Sequence, residues 1–201
     1  MVVMIGLNQA SATTFTNGSF ETGDFTGWDT FNSLGSFLGV TGVFASEGIN
    51  SVEHEFDGFG PGEMGFGQQV TIVAPIIEFD YFASVDNVGL LDRTLDLVVR
   101  DGFAGAELYR ENILTVAAGS FVNIIPLAGG SVDLSAFLGA TVHVSFDSSI
   151  PEVFTGPGNV WIDNVRSSGV VVPEPSTYAL FALGLGALGI AHRRKTREEK
   201  K

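Results

Sequence analysis

Apolar and polar residues alternate with a period of two over much of the chain. Ile77, Phe79 and Tyr81 stand opposite Glu78 and Asp80, and Leu95, Leu97 and Val99 alternate with Asp96 and Arg100. Val142, Val144 and Phe146 alternate with Thr141, His143, Ser145 and Asp147, and Phe66, Gln68, Val70 and Ile72 form another such row. Successive side chains of a strand point to opposite faces, so each row predicts a strand with one side toward a core. Shorter strands are predicted over Phe37–Ala45, Ser51–Phe56, Phe121–Ile125 and Val160–Val165. Gly, Asn, Asp and Pro punctuate the chain between Thr14 and Val165 at the short intervals of a many-stranded β domain. No segment there carries a helical apolar stripe. With 17 Phe to fill the space between two sheets, the pattern predicts an all-β sandwich. Its polar rows, His54 and His143 among them, are expected at the surface, and Trp28 in the core.

Both ends depart from this pattern. Met1 to Leu7 is apolar, and Ala10-Ser11-Ala12 is an A-x-A cleavage pattern, with Ala10 and Ala12 as its small residues. Residues 1–12 read as the end of a signal peptide whose cationic start lies upstream of Met1. Residues 13–168 form the sandwich, 169–177 a linker, 178–192 a single short transmembrane helix and 193–201 a basic cytoplasmic tail. The uncharged run Ala179–Ala191 has 13 residues, short of the ~20 that a relaxed span needs. Its flanks decide the reading: Tyr178 suits one interface, and the cations Arg193, Arg194 and Lys195 stop the helix at the other.

Charge follows the same division. Four basic against 20 acidic residues leave the body at −16, and six basic against three acidic leave the segment after Val172 at +3. An acidic ectodomain with a basic stub obeys the positive-inside rule. Such a body does not bind nucleic acid by neutralising phosphates, and it attracts divalent cations. The absence of Cys removes disulfides, thiol catalysis and Cys-ligated zinc.

Pro173-Glu174-Pro175, the Gly-rich run Ala179–Ala191 and Arg193-Arg194-Lys195, in that order at the C-terminus, resemble the PEP-CTERM sorting signal of bacterial envelope proteins. The resemblance implies an exosortase as partner and transient anchoring in the inner membrane. Release to the cell surface or extracellular matrix would follow, in a cell that makes exopolysaccharide and biofilm. The two prolines hold the tripeptide extended, where a membrane enzyme can reach it. A second resemblance spans the body. Asn17-Gly18-Ser19-Phe20-Glu21 with Gly27-Trp28, Gln69-Val70, Asp133–Gly139 and Trp161-Ile162-Asp163-Asn164-Val165 are similar to galactose-binding-like jelly rolls of carbohydrate-binding modules. It implies a jelly-roll sandwich, polysaccharide as ligand, and a structural Ca²⁺ tying the first strand to the last through Glu21 and Asp163.

Catalytic patterns fail on inspection. His54-Glu55 lacks the second His of H-E-x-x-H, no G-x-S-x-G occurs, and Gly60–Gly65 precedes a strand where a phosphate cradle needs a helix. The expectation is therefore a non-catalytic, exported polysaccharide-binding or matrix protein. The alternative is a secreted glycosidase-like hydrolase, because acidic residues are plentiful.

Overall fold

The alternating rows become ten strands in two sheets. A computed structural model describes residues 15–56, 60–153 and 156–169. In chain order the strands are β1 (Asp29–Asn32), β2 (Leu38–Thr41), β3 (Ser51–Phe56), β4 (Gly62–Thr71), β5 (Ile76–Asn87), β6 (Arg93–Arg100), β7 (Glu107–Val116), β8 (Ser120–Asp133), β9 (Thr141–Ile150) and β10 (Gly158–Ser168). A 3-10 turn, Ser135–Phe137, precedes β9. One sheet, sheet A, has the order β1-β4-β9-β6-β7, and sheet B has β2-β3-β10-β5-β8. Every described pairing is antiparallel.

The chain divides into two compact units, residues 1–170 and 171–201. The second lies outside the described residues. So do the expected cleavage site at Ala10 and Ala12, the tripeptide Pro173–Pro175, the span 178–192 and the stop at Arg193–Lys195. No helix among the described residues is long and apolar enough to cross a membrane.

Aromatic bulk fills the space between the sheets, as the 17 Phe predict. Phe66 is fully buried, stacks on Phe146 (5.4 Å) and meets Phe20 and Trp28 edge-on, while Phe79 abuts Phe146 at 4.9 Å. Trp28 is a core residue: it stacks on Phe15 and its indole N–H donates to the Asn17 carbonyl at 3.1 Å. Asn17 sits at φ +51°, and its amide donates to the Asp24 and Thr26 carbonyls, shaping the loop around it. Gly18 follows with no room for a side chain, since a Cβ there would lie 2.0 Å from the Val165 carbonyl oxygen. The Gly18 carbonyl in turn accepts the Val165 N–H at 2.8 Å. This contact brings the opening motif against the closing one.

Several expectations are corrected. The strand expected over Phe37–Ala45 ends at Thr41 and gives way to a loop, 42–50. Strands β1 and β7 went unpredicted because both are edge strands, β1 only four residues long and β7 mostly exposed, so neither carries a clean apolar row. His54 and His143 are buried, not exposed. Asp163 is fully buried as well. On β6 and β9 both faces are buried, so the polar rows there do not meet solvent.

Candidate functional site

The second buried face of sheet A carries an unusual polar surface. Strand register places Asp29, Gly67, Ser145, Val98 and Arg110 in one row across the five strands. The next row is Phe31, Gly65, Asp147, Asp96 and Asn112. A third holds Gln69, His143, Arg100 and Glu107. Paired residues share a side of the sheet, so all of these face away from the aromatic core. Glycine at 67 is required here, because a Cβ would lie 2.4 Å from His143 Cε1 and 2.6 Å from Ser145 Cβ.

Two buried carboxylates face each other on neighbouring strands with different surroundings. Asp96 is saturated: Arg110 Nη1 and Thr94 Oγ1 donate to its Oδ2, each at 2.9 Å, and Asn112 Nδ2 to its Oδ1 at 2.7 Å. Asp147 is half satisfied. Arg100 bridges Ser145 Oγ (2.7 Å) and Asp147 Oδ2, while Oδ1 of Asp147 is buried with no hydrogen-bond partner among the described residues. His143 lies on the same face of β9, two rows along, beyond Ser145. Its Nε2 is 3.6 Å from Asp29 Oδ2, its Nδ1 has no hydrogen-bond partner among the described residues, and the Phe103 ring meets the imidazole edge-on at 5.3 Å. Burial pushes the His143 pKa down, with Asp29 opposing. A buried acceptor or donor left unmade costs of order 1–3 kcal/mol. Such groups persist where a ligand completes them. The face thus offers a free carboxylate oxygen, a neutral imidazole and a guanidinium, flanked by Phe31 and Phe103. That combination suits a polyhydroxylated ring, with hydroxyls for the polar groups and C–H faces for the aromatics.

Sequence reading placed His143, Ser145 and Asp147 on one strand face but assigned that face to water. Arg100 and Asp29 were missed as partners. The available signal was a histidine and a carboxylate four residues apart on one face of a long strand, which period alone does not distinguish from a solvated row.

The expected metal pair has another occupation. Asp163 Oδ2 accepts the backbone N–H groups of Ser46 (2.7 Å) and Glu47 (2.9 Å) and the Ser46 hydroxyl (3.1 Å), and its Oδ1 accepts the Asn164 N–H (2.6 Å). Glu21 Oε1 accepts the N–H groups of Ile49 and Asn50, both at 2.9 Å. Burial raises the Asp163 pKa, and the N–H donors of Glu47, Asn164 and Ser46 oppose it. These oxygens face donors, not a cation, and no group of three His, Asp or Glu side chains among the described residues is spaced to hold a metal. As arranged, Glu21 and Asp163 do not fit a calcium ion; they pin the 42–50 loop.

The architecture is a β-sandwich of two five-stranded antiparallel sheets. It is similar to the structure of TmCBM61 in complex with β-1,4-galactotriose, at TM-score 0.53 and 16% identity over 80% of this chain and 100% of that one. It is also similar to the K3 cleaved adhesin domain of Lys-gingipain from Porphyromonas gingivalis, at TM-score 0.52 and 13% identity over 79% of this chain and 100% of that one. At such identities the likeness is one of fold. No curated protein matches the chain. Residues 171–195 match the PEP-CTERM protein-sorting motif. This motif marks an exported protein that is anchored at a membrane before processing.

Proposed function

We propose that the protein is a non-catalytic component of the cell envelope or extracellular matrix that binds polysaccharide through the outer face of sheet A. An exosortase reads Pro173-Glu174-Pro175 and frees the body from the inner membrane, in an exopolysaccharide or biofilm setting. The observation that carries the binding reading is the half-satisfied Asp147, whose Oδ1 is buried with no hydrogen-bond partner among the described residues, on the same strand face as His143, whose Nδ1 also lacks one. The face runs across all five strands of sheet A. It fits an extended glycan chain better than a small molecule that needs enclosure. The acidic body supports neutral sugars as ligands, since an anionic glycan would meet a net charge of −16.

Affinity electrophoresis in gels containing galactan, mannan, xylan or mixed-linkage glucan tests the reading. The chain is expected to be retarded by at least one polymer, and Asp147→Asn to weaken retention tenfold or more. Unchanged mobility of the unmodified chain in every gel overturns the proposal. The same gels, stained for released reducing ends after incubation, separate binding from hydrolysis.

A further inference from the structure

The opposite side of the molecule carries an aromatic cluster that the sheet A site does not use. On the outer face of sheet B, Trp161 of β10 pairs with Phe82 of β5 on one side and Glu53 of β3 on the other. Phe44, from the 42–50 loop, lies over both rings, with centroids 4.6 Å from Trp161 and 5.3 Å from Phe82. Trp161 and Phe82 are 6% and 8% exposed beneath it, while Phe44 is 37% exposed.

Two features set this cluster apart from a packed core. The chain has two tryptophans, and the one in the core, Trp28, satisfies its indole N–H. Trp161 does not: its Nε1 is buried with no hydrogen-bond partner among the described residues. A buried indole donor normally finds an acceptor. In addition, Phe44 holds φ at +52°, a left-handed conformation that costs a bulky residue energy. A ring held in strain over an unused donor has the character of a cover.

We propose that Phe44 is a lid over a second saccharide site, with Trp161 and Phe82 as the stacking platform. When the Phe44 ring swings aside, the C–H face of a pyranose stacks on the indole and one of its oxygens accepts the Trp161 N–H. The platform is flanked by Glu53 and Asn159, already paired at 2.7 Å, which receive and donate to neighbouring hydroxyls. An apolar face with one required acceptor and hydroxyls at its rim is the chemistry of a neutral sugar. The loop itself stays in place, since Ser51 Oγ donates to the Val43 carbonyl at 2.5 Å and Asp163 and Glu21 hold its amides. Together with the sheet A face, on whose assignment this consequence rests, the sandwich becomes bivalent and cross-links glycan chains on its two sides.

The test uses the full chain in a polyoxyethylene detergent, which has no sugar headgroup. It is titrated calorimetrically and by fluorescence with β-1,4-linked gluco-, manno- and galacto-oligosaccharides. Two ligands per chain are expected, with a change in emission from Trp161. Phe44→Gly, which removes the ring and accepts the positive φ, should raise affinity at one site several-fold. Trp161→Phe keeps a ring but loses the donor and should lower affinity there at least tenfold. If Phe44→Gly and every folded Trp161 variant bind as the unmodified chain does, the second site does not exist. Should Phe44→Gly abolish self-association and leave saccharide binding untouched, the face is a protein contact and the proposal falls. Loss of all binding in Asp147→Asn alone would sink the second site and leave the first standing. Binding that survives Asp147→Asn but not Trp161→Phe would do the reverse, and a chain that binds no saccharide overturns both.

Discussion

His54 crosses the interior of the sandwich, from β3 in sheet B to Ser148 on β9 in sheet A, with Nδ1 2.7 Å from the Ser148 hydroxyl. It is fully buried against Phe66, and burial pushes its pKa down to about 3. The unfolded chain takes up this proton near pH 6.5 and the folded chain only near 3, so acid favours unfolding. The contribution of His54 to stability is complete above pH 6.5 and is lost as pH falls toward 3. Between pH 8 and pH 4 it amounts to about 3 kcal/mol. Urea denaturation at both pH values should show this loss, and His54→Gln, which keeps a partner for Ser148 but does not titrate, should shrink it by about that amount. An identical fall in both proteins would mean that the imidazole is not desolvated as described. Neither the burial of this side chain nor its partner 94 residues away is legible in Ser51–Phe56, where it reads as one more polar position on an alternating strand.

At the scale of elements, the 42–50 loop and β10 depend on each other. The loop has little apolar burial of its own, with Val43 and Ile49 exposed, and its amides are satisfied by Asp163 and Glu21. Asp163→Ala should cost about 2 kcal/mol and speed amide hydrogen exchange at Ser46 and Glu47, leaving exchange in β6 and β9 unchanged. Millimolar Ca²⁺ should leave the Tm unmoved, because the carboxylate oxygens already have donors. A Tm that rises with calcium would show the loop amides giving way to the ion, and with it the arrangement that the jelly-roll resemblance implied. The motif residues were visible in sequence, Glu21 beside Phe20 and Asp163 beside Ile162. What they bind depends on which backbone groups the fold delivers to them.

For the molecule as a whole, the division of charge between an acidic body and a basic end belongs with the sorting motif at residues 171–195. Glu174 is the one charged side chain of Pro173-Glu174-Pro175 and so the natural handle for a membrane peptidase. Glu174→Ala leaves the prolines and the apolar run Ala179–Ala191 intact, so insertion should survive while processing stops. In cells that hold an exosortase, envelope fractionation should find a slightly larger, membrane-bound form. Neutralising Arg193, Arg194 and Lys195 should instead weaken the stop and the orientation. Release of Glu174→Ala at the normal size would reduce the tripeptide to a linker.

What the sequence determined by itself is whatever depends on local order. The period-two rows of β4, β5, β6 and β9 define strands and their core sides, the run of Phe supplies the interior, and the sorting motif is read in place. The tertiary structure alone decided which polar rows are solvated. Alternation states that His143, Ser145 and Asp147 share a face, but their burial comes from Arg100 on β6 and from Phe103 in the turn beyond it. The same holds for Trp161, which forms part of a familiar strand motif in sequence and lies under Phe44 only because the 42–50 loop folds back across sheet B. Contacts between residues far apart in the chain leave no trace in local periodicity, and both candidate sites are built from such contacts.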